Sequence, residues 1–216
     1  MIKKTSYLHN LYKVKELVFI SVFMIIVGIF NKNKVLIILG LIGLLFLLFF
    51  FRNIYNHKSI NNDNFISPSS SKIKSIKSSN KGYIVRTYLS FLDKHFMIAP
   101  VDCEIVNIER SHNKDEAERL KVIFKDNKGN LFRLDQIVSK LGKGAWLVKL
   151  FYKYRCILFN KVGDKLKQGE RYGLIRFGSN MEYYIPRSYK ITIKKGDKCI
   201  LGSTIAKSRK ITFNYN

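Results

Sequence analysis

The chain has 216 residues, with 39 Lys or Arg against 15 Asp or Glu and a net charge of +24. That length favours one main domain, and the charge points to an anionic partner, either nucleic acid or an anionic membrane surface. The positive residues are spread along the chain with no nucleic-acid motif, which excludes nucleic acid as the expected partner. Cys103, Cys156 and Cys199 are widely spaced and form no CxxC pair, which excludes a disulfide scaffold and fits a reducing compartment.

Leu17 to Phe30 is apolar except for Ser21, and Val35 to Phe51 is wholly apolar, with Asn31 to Lys34 between them. At 1.5 Å per residue the two runs reach roughly 21 and 25 Å as helices, a little short of a ~30 Å hydrocarbon core. A second apolar run and no small-residue cleavage site distinguish the segment from a secretory signal. Residues 1–52 are therefore expected to form a membrane-anchoring helical hairpin that crosses a thinned bilayer or dips in and returns. Basic residues flank it on both sides, so the rest of the chain is expected on the cytoplasmic side of the cell (inner) membrane.

Residues 53–64 are polar and read as a linker. From residue 65 to 216 short apolar runs alternate with turn signals such as Asp126-Asn127-Lys128-Gly129, Gly163-Asp164 and Gly196-Asp197, which predicts a mostly β domain. Two internal repeats stand out. Pro68-Ser69-Ser70-Ser71-Lys72-Ile73 parallels Pro100-Val101-Asp102-Cys103-Glu104-Ile105, and Gly163-Asp164-Lys165…Gly169-Glu170 parallels Gly196-Asp197-Lys198…Gly202-Ser203. Duplicated hairpins of this kind predict a compact β sandwich or barrel resembling lipoyl and biotinyl carrier domains. A carrier's Lys in a Met-Lys-Met-like context is missing, and a membrane-tethered β adaptor remains a reading of these residues.

Two Gly-Ser pairs occur in this part of the chain. Gly202-Ser203 overlays Gly169-Glu170 in the repeat and reads as a turn. Gly178-Ser179 has no such counterpart and opens a strand-like run. Glycine leaves the preceding carbonyl open and tolerates strained backbone, so the Ser179 hydroxyl could attack the Gly178 carbonyl and turn the amide into an ester. Elimination and hydrolysis would then leave a pyruvoyl group on residue 179. No cluster of His, Cys or carboxylates has metal-ligand spacing. His9, His57 and His112 read as surface groups, and Asp102 and Glu182 as candidate site carboxylates whose alternating-strand geometry also fits a solvent face.

The order of motifs resembles the phosphatidylserine decarboxylases, especially their short bacterial and archaeal proenzymes. Phe49-Phe50-Phe51-Arg52-Asn53 looks like the family's Phe-Phe-Arg-Asp/Asn, and Ser67-Pro68-Ser69-Ser70-Ser71 like its Ser-Pro-Ala-Asp-Gly. Tyr88 to His95 resembles Phe-Leu-Ser-Pro-x-Asp-x-His, Ala99-Pro100-Val101 the Ala-Pro-Val hairpin, and Asp135-Gln136-Ile137 a Val-Gln-Ile. The most specific stretch runs from Gly169 to Ser179 and is close to Gly-Glu-Arg-x-Gly-x-Ile-x-Phe-Gly-Ser.

The resemblance implies self-cleavage between Gly178 and Ser179 into a β chain, 1–178, and an α chain, 179–216, with Ser179 becoming the pyruvoyl cofactor. It implies phosphatidylserine as substrate and phosphatidylethanolamine as product, formed by a carbonyl that takes the substrate amine and accepts the electrons released as CO2 leaves. His95 is the implied acid or base, with Asp93 placed on the same strand face to orient it or accept a proton. Three positions depart from the family: Ser70 stands for its Asp, Ile98 for a second His of the longer enzymes, and Cys103 for a glycine. A hydroxyl at 70 can relay a proton but cannot hold one at neutral pH, so cleavage is expected to be slow or to use Asp93 or His95 instead. A relative that binds anionic lipid without cleaving itself is the alternative reading.

Overall fold

The computed structural model describes residues 11–52, 64–90, 92–112, 116–139, 154–176 and 179–209. Helices α1 (Lys15–Phe30) and α2 (Lys34–Phe50) form the expected hairpin. The Asn33 side chain accepts from the Val35 and Leu36 amides at 3.1 and 3.3 Å and starts α2. The helices approach through small residues. A methyl group on Gly40 would sit 2.7 Å from the Ser21 carbonyl oxygen, and one on Gly28 2.7 Å from the Ile37 side chain. Around this seam Phe19, Phe30, Val35, Ile42 and Leu45 are exposed. No helix among the described residues is long and apolar enough to cross a membrane.

The rest is β structure: β1 (Asn64–Ile66), β2 (Ser71–Ser79), β3 (Gly82–Leu89), β4 (Phe96–Ile98), β5 (Cys103–Ser111), β6 (Glu116–Asp126), β7 (Leu131–Ser139), β8 (Cys156–Leu158), β9 (Lys165–Leu166), β10 (Arg171–Ile175), β11 (Ser179–Pro186), β12 (Tyr189–Ile191), β13 (Lys198–Cys199) and β14 (Thr204–Ser208). An eight-stranded sheet has the order β13-β2-β3-β11-β7-β6-β5-β9, and two three-stranded sheets have the orders β1-β14-β12 and β4-β10-β8. The result is sandwich-like, with no closed barrel among the described residues. Alternate residues such as Val85, Leu134, Val122, Met181 and Tyr183 turn inward to one buried cluster.

The large sheet reads the same from either end once β13 is matched with β9, β2 with β5, β3 with β6 and β11 with β7. The hydrogen bonds repeat in register. Ile73 donates to the Asp197 carbonyl at 2.9 Å, and Ile105 to the Asp164 carbonyl at 3.0 Å. Ser67 donates to the Ser203 carbonyl at 2.7 Å, and Ala99 to the Glu170 carbonyl at 2.7 Å. Ile66 donates to the Pro100 carbonyl and Ile98 to the Pro68 carbonyl, both at 3.1 Å, across the centre of the duplication. Gly163, Gly169, Gly196 and Gly202 take positive φ at equivalent turns, where only glycine is unstrained. Ser203 lies in such a turn, exposed, with its hydroxyl donating to the Ile200 carbonyl at 2.7 Å.

One half of the duplication is β4 to β10; the other is β1 to β3 together with β11 to β14. The chain passes from one half to the other after Leu89 and returns after Ile175. Those two passages carry the residues 90–95 and 176–178.

Candidate active site

The described residues flanking the second passage lie against the first passage and the strand that precedes it. The Ile175 amide donates to the His95 carbonyl at 2.8 Å, and Ser179, which opens β11, pairs with Leu89, which closes β3. Ile175, before the Gly178–Ser179 bond, is thus bonded to His95, and Ser179, after it, is paired with the end of the strand that leads to His95. Gly178 lies outside the described residues, and for Ser179 the backbone pairing is the relevant fact.

His95 is buried, and its Nδ1 lies 2.8 Å from the Asp93 carbonyl oxygen. A carbonyl only accepts, so the neutral ring carries its proton on Nδ1 and leaves a lone pair on Nε2. Nε2 is buried and makes no hydrogen bond among the described residues. Burial pulls the imidazole down to about 4, against the pull of the Asp93 carbonyl bond and charge, and the nearby Arg52 charge adds to the lowering. At neutral pH the ring is an uncharged base. Its flat face meets Phe50 at the end of α2, with ring centres 4.0 Å apart.

Asp93 sits in a turn rather than on a strand, so it does not share a strand face with His95 as the sequence suggested. Its Oδ2 accepts from the Ser90 amide at 2.8 Å and the Ser90 hydroxyl at 2.9 Å, and its amide donates back to the Ser90 carbonyl. An acid three residues after a serine closes such a loop locally, which overrides the two-residue alternation. Asp93 therefore orients His95 through its main-chain carbonyl.

Cations gather around this turn. Arg52 donates to the Leu92 carbonyl at 2.6 Å and to the Phe49 carbonyl at 3.0 Å. Arg171 is buried over the Phe96 ring at 4.0 Å, and burial lowers its guanidinium to about 10. Partial burial and the charges of Arg52 and Arg171 lower the Lys94 ammonium. Arg176 donates to the Tyr154 carbonyl at 3.0 Å and to the Lys13 carbonyl, which ties the passage before Ser179 to the start of the hairpin.

The other candidates lie elsewhere. Asp102 accepts from the Gln168 amide at 2.8 Å and pairs with Lys167 at 3.0 Å. Glu182, central in β11, is held by Arg86 at 2.6 Å, Arg119 at 3.0 Å and the Tyr184 hydroxyl at 2.8 Å. The His112 ring lies near Tyr154, and His9 and His57 are outside the described residues. Cys103, Cys156 and Cys199 are buried free thiols, each raised by burial, so their chemistry is quiet. Sequence reasoning did not find Phe50, Arg171 or the buried Gln136 side chain as neighbours of functional segments. Gln136 carried a signal, its place in a family-like motif, and its amide lies against Gly173 of β10.

The sequence pattern of the phosphatidylserine decarboxylases matches residues 46–207. The chain belongs to this family. A phosphatidylserine decarboxylase proenzyme of Geotalea uraniireducens is 26% identical over 182 residues, 80% of this chain and 83% of that protein. Proenzymes of Mycolicibacterium smegmatis and Mycobacterium marinum are 28% and 32% identical over 125 residues. Those two matches cover 56% of this chain and about half of each relative, 52% and 50%.

The duplication explains the surroundings of Ser70, the position where the resemblance led us to expect an acid. Ser70 is equivalent to Asp102. Its hydroxyl accepts from the Leu201 amide at 3.2 Å, as Asp102 accepts from Gln168. Where Asp102 has Lys167, Ser70 has Ile200 at the equivalent position. Ser70 thus braces a turn, and its neighbour Ser69 shares a 2.6 Å hydrogen bond with Tyr183 of β11.

Proposed function

We propose that the protein is a self-processing, pyruvoyl-dependent decarboxylase that converts phosphatidylserine to phosphatidylethanolamine at a membrane surface. The observation that carries this reading is the contact between the two passages, with Ile175 bonded to His95 and Ser179 paired with Leu89. The family membership gives the lyase chemistry, and that contact supports its assignment to Gly178, Ser179 and His95.

In the processing step the Ser179 hydroxyl attacks the Gly178 carbonyl and needs a neighbour to take its proton. An uncharged imidazole with a free lone pair on Nε2 suits that task. The residues fit a pyruvoyl group at position 179: a glycine precedes the serine, and an orphaned buried nitrogen lies in the adjoining segment. When formed, such a group supplies an electrophilic carbonyl that draws off the electron pair released with CO2. His95 would hold or deliver the proton that replaces the carboxylate, with Asp93 fixing its tautomer. The cations Arg52, Lys94 and Arg171 favour an anionic phospholipid head group beside it.

The exposed apolar residues of α1 and α2 support anchorage of the chain in a membrane, with the β domain on the cytoplasmic face of the cell membrane. Short helices packed through Gly28 and Gly40 suit a hairpin that dips in and returns. Vesicles containing phosphatidylserine test the reading: wild-type protein should form phosphatidylethanolamine, and Ser179→Ala should form none. Equal product from both would refute it.

A further inference from the structure

The hairpin does more than hang beside the β domain. Val14, Leu47, Phe50 and Phe51 at its base bury with Ile66, Phe96, Ile98 and Leu174 of the β sheets and Leu201 of the turn before β14. Phe50 is fully buried and packs on the face of His95, and Arg52 bonds the carbonyl of Leu92, the residue beside Asp93. Asp93 in turn holds the His95 ring.

We infer that Phe50 and Arg52 are positioning residues of the decarboxylase site, so that the hairpin is part of the site and not a detachable anchor. Phe50 excludes water from the ring face, and Arg52 fixes the turn that aims it. This rests on the reading of His95 as the proton carrier. The charged groups facing His95 are Asp93 on its own turn and Arg52 at the end of α2. Lys94 and Arg171 lie beside the turn, and Lys198 is 3.8 Å from the Asp93 carboxylate. Removing Phe50 changes none of these charges, so its effect on His95 isolates the loss of cover.

The test uses the full chain in detergent micelles, in the uncut Ser179→Ala background, with the His95 ring followed by NMR through a pH titration. His95→Gln identifies the signal. Phe50→Ala should raise the titration of His95 by about one pH unit or more, and Phe50→Leu, which keeps apolar cover, by much less. Arg52→Ala should move the His95 ring shifts, with partial return in Arg52→Lys. In chains that retain Ser179, the pH profile of chain splitting should shift with the Phe50→Ala titration. An unchanged His95 titration in Phe50→Ala and unchanged ring shifts in Arg52→Ala would overturn the inference. Because the NMR arm needs no catalysis, a chain that never splits would count against the proposed function and leave this result readable.

Discussion

Ile175 reaches across to His95: its amide donates to the His95 carbonyl at 2.8 Å, which joins the two places where the chain changes halves. A duplicated fold has few such places. The first passage leaves a regular strand, so Asp93 and His95 are free of the alternation that the sheets impose. The candidate site uses that freedom at Asp93 and His95, and in the sequence Gly178 next to Ser179 falls at the other passage.

The burial of His95 makes stability depend on pH with a definite sign. Its folded value is held to about 4, below the ordinary 6.5 of the unfolded chain. Between those values the unfolded chain binds the extra proton, so stability is complete above pH 6.5, falls as pH drops, and levels off near 4. The total loss is about 3 kcal/mol from this residue. Denaturant unfolding of Ser179→Ala should show a steeper pH dependence in this window than Ser179→Ala/His95→Gln. Equal slopes would mean that His95 titrates normally.

Ser70→Asp tests the bracing role. The new carboxylate could accept from Leu201 but would lack the lysine that accompanies Asp102. The single variant is expected to change the splitting rate little, and Ile200→Lys should recover about 0.5–1 kcal/mol in its presence relative to its effect alone. A double-mutant cycle by thermal unfolding reads the coupling. A large acceleration of splitting by Ser70→Asp would show instead that an acid at this position serves the chemistry.

Gly173 is tightly enclosed. A Cβ there would lie 2.7 Å from both the Ile157 carbonyl oxygen and Gln136 Nε2. Gly173→Ala should destabilise the protein by about 1–3 kcal/mol, measured by denaturant unfolding, because the carbonyl is backbone and cannot swing away. No loss would imply that β8 and β10 separate easily.

Much of this architecture is legible in the amino-acid sequence. The turn glycines marked the duplication because positive φ is a chemical demand that a sequence displays, and the overlay of Ser203 on Glu170 followed from it. The apolar runs marked the hairpin within a few residues. The interleaving of the halves was not legible, since the register between β11 and β7 joins segments far apart in the chain and leaves no periodic signal. The turn at Asp93 was misread as a strand because Ser90-x-x-Asp93 satisfies itself locally. Nothing in the sequence marks the contact of Phe50 with His95, since an aromatic in an apolar run looks the same whether it faces solvent or a buried ring.

The proposed membrane attachment rests on the exposed apolar residues of the hairpin. Full-length protein should float with anionic vesicles through a density gradient in high salt, where the attraction of the basic surface is screened. Deletion of residues 1–51 should abolish this, and by the contact of Phe50 with His95 it should also impair splitting. Salt-resistant flotation of the truncated chain would place the anchor elsewhere.

The central claim is a cut at Gly178–Ser179, and intact-mass measurement of the purified wild-type protein addresses it directly. The account predicts two fragments, residues 1–178 and 179–216, the smaller with a pyruvoyl-blocked N-terminus, and a single chain for Ser179→Ala. An uncut wild-type chain, or a cut before Ser203, would contradict it.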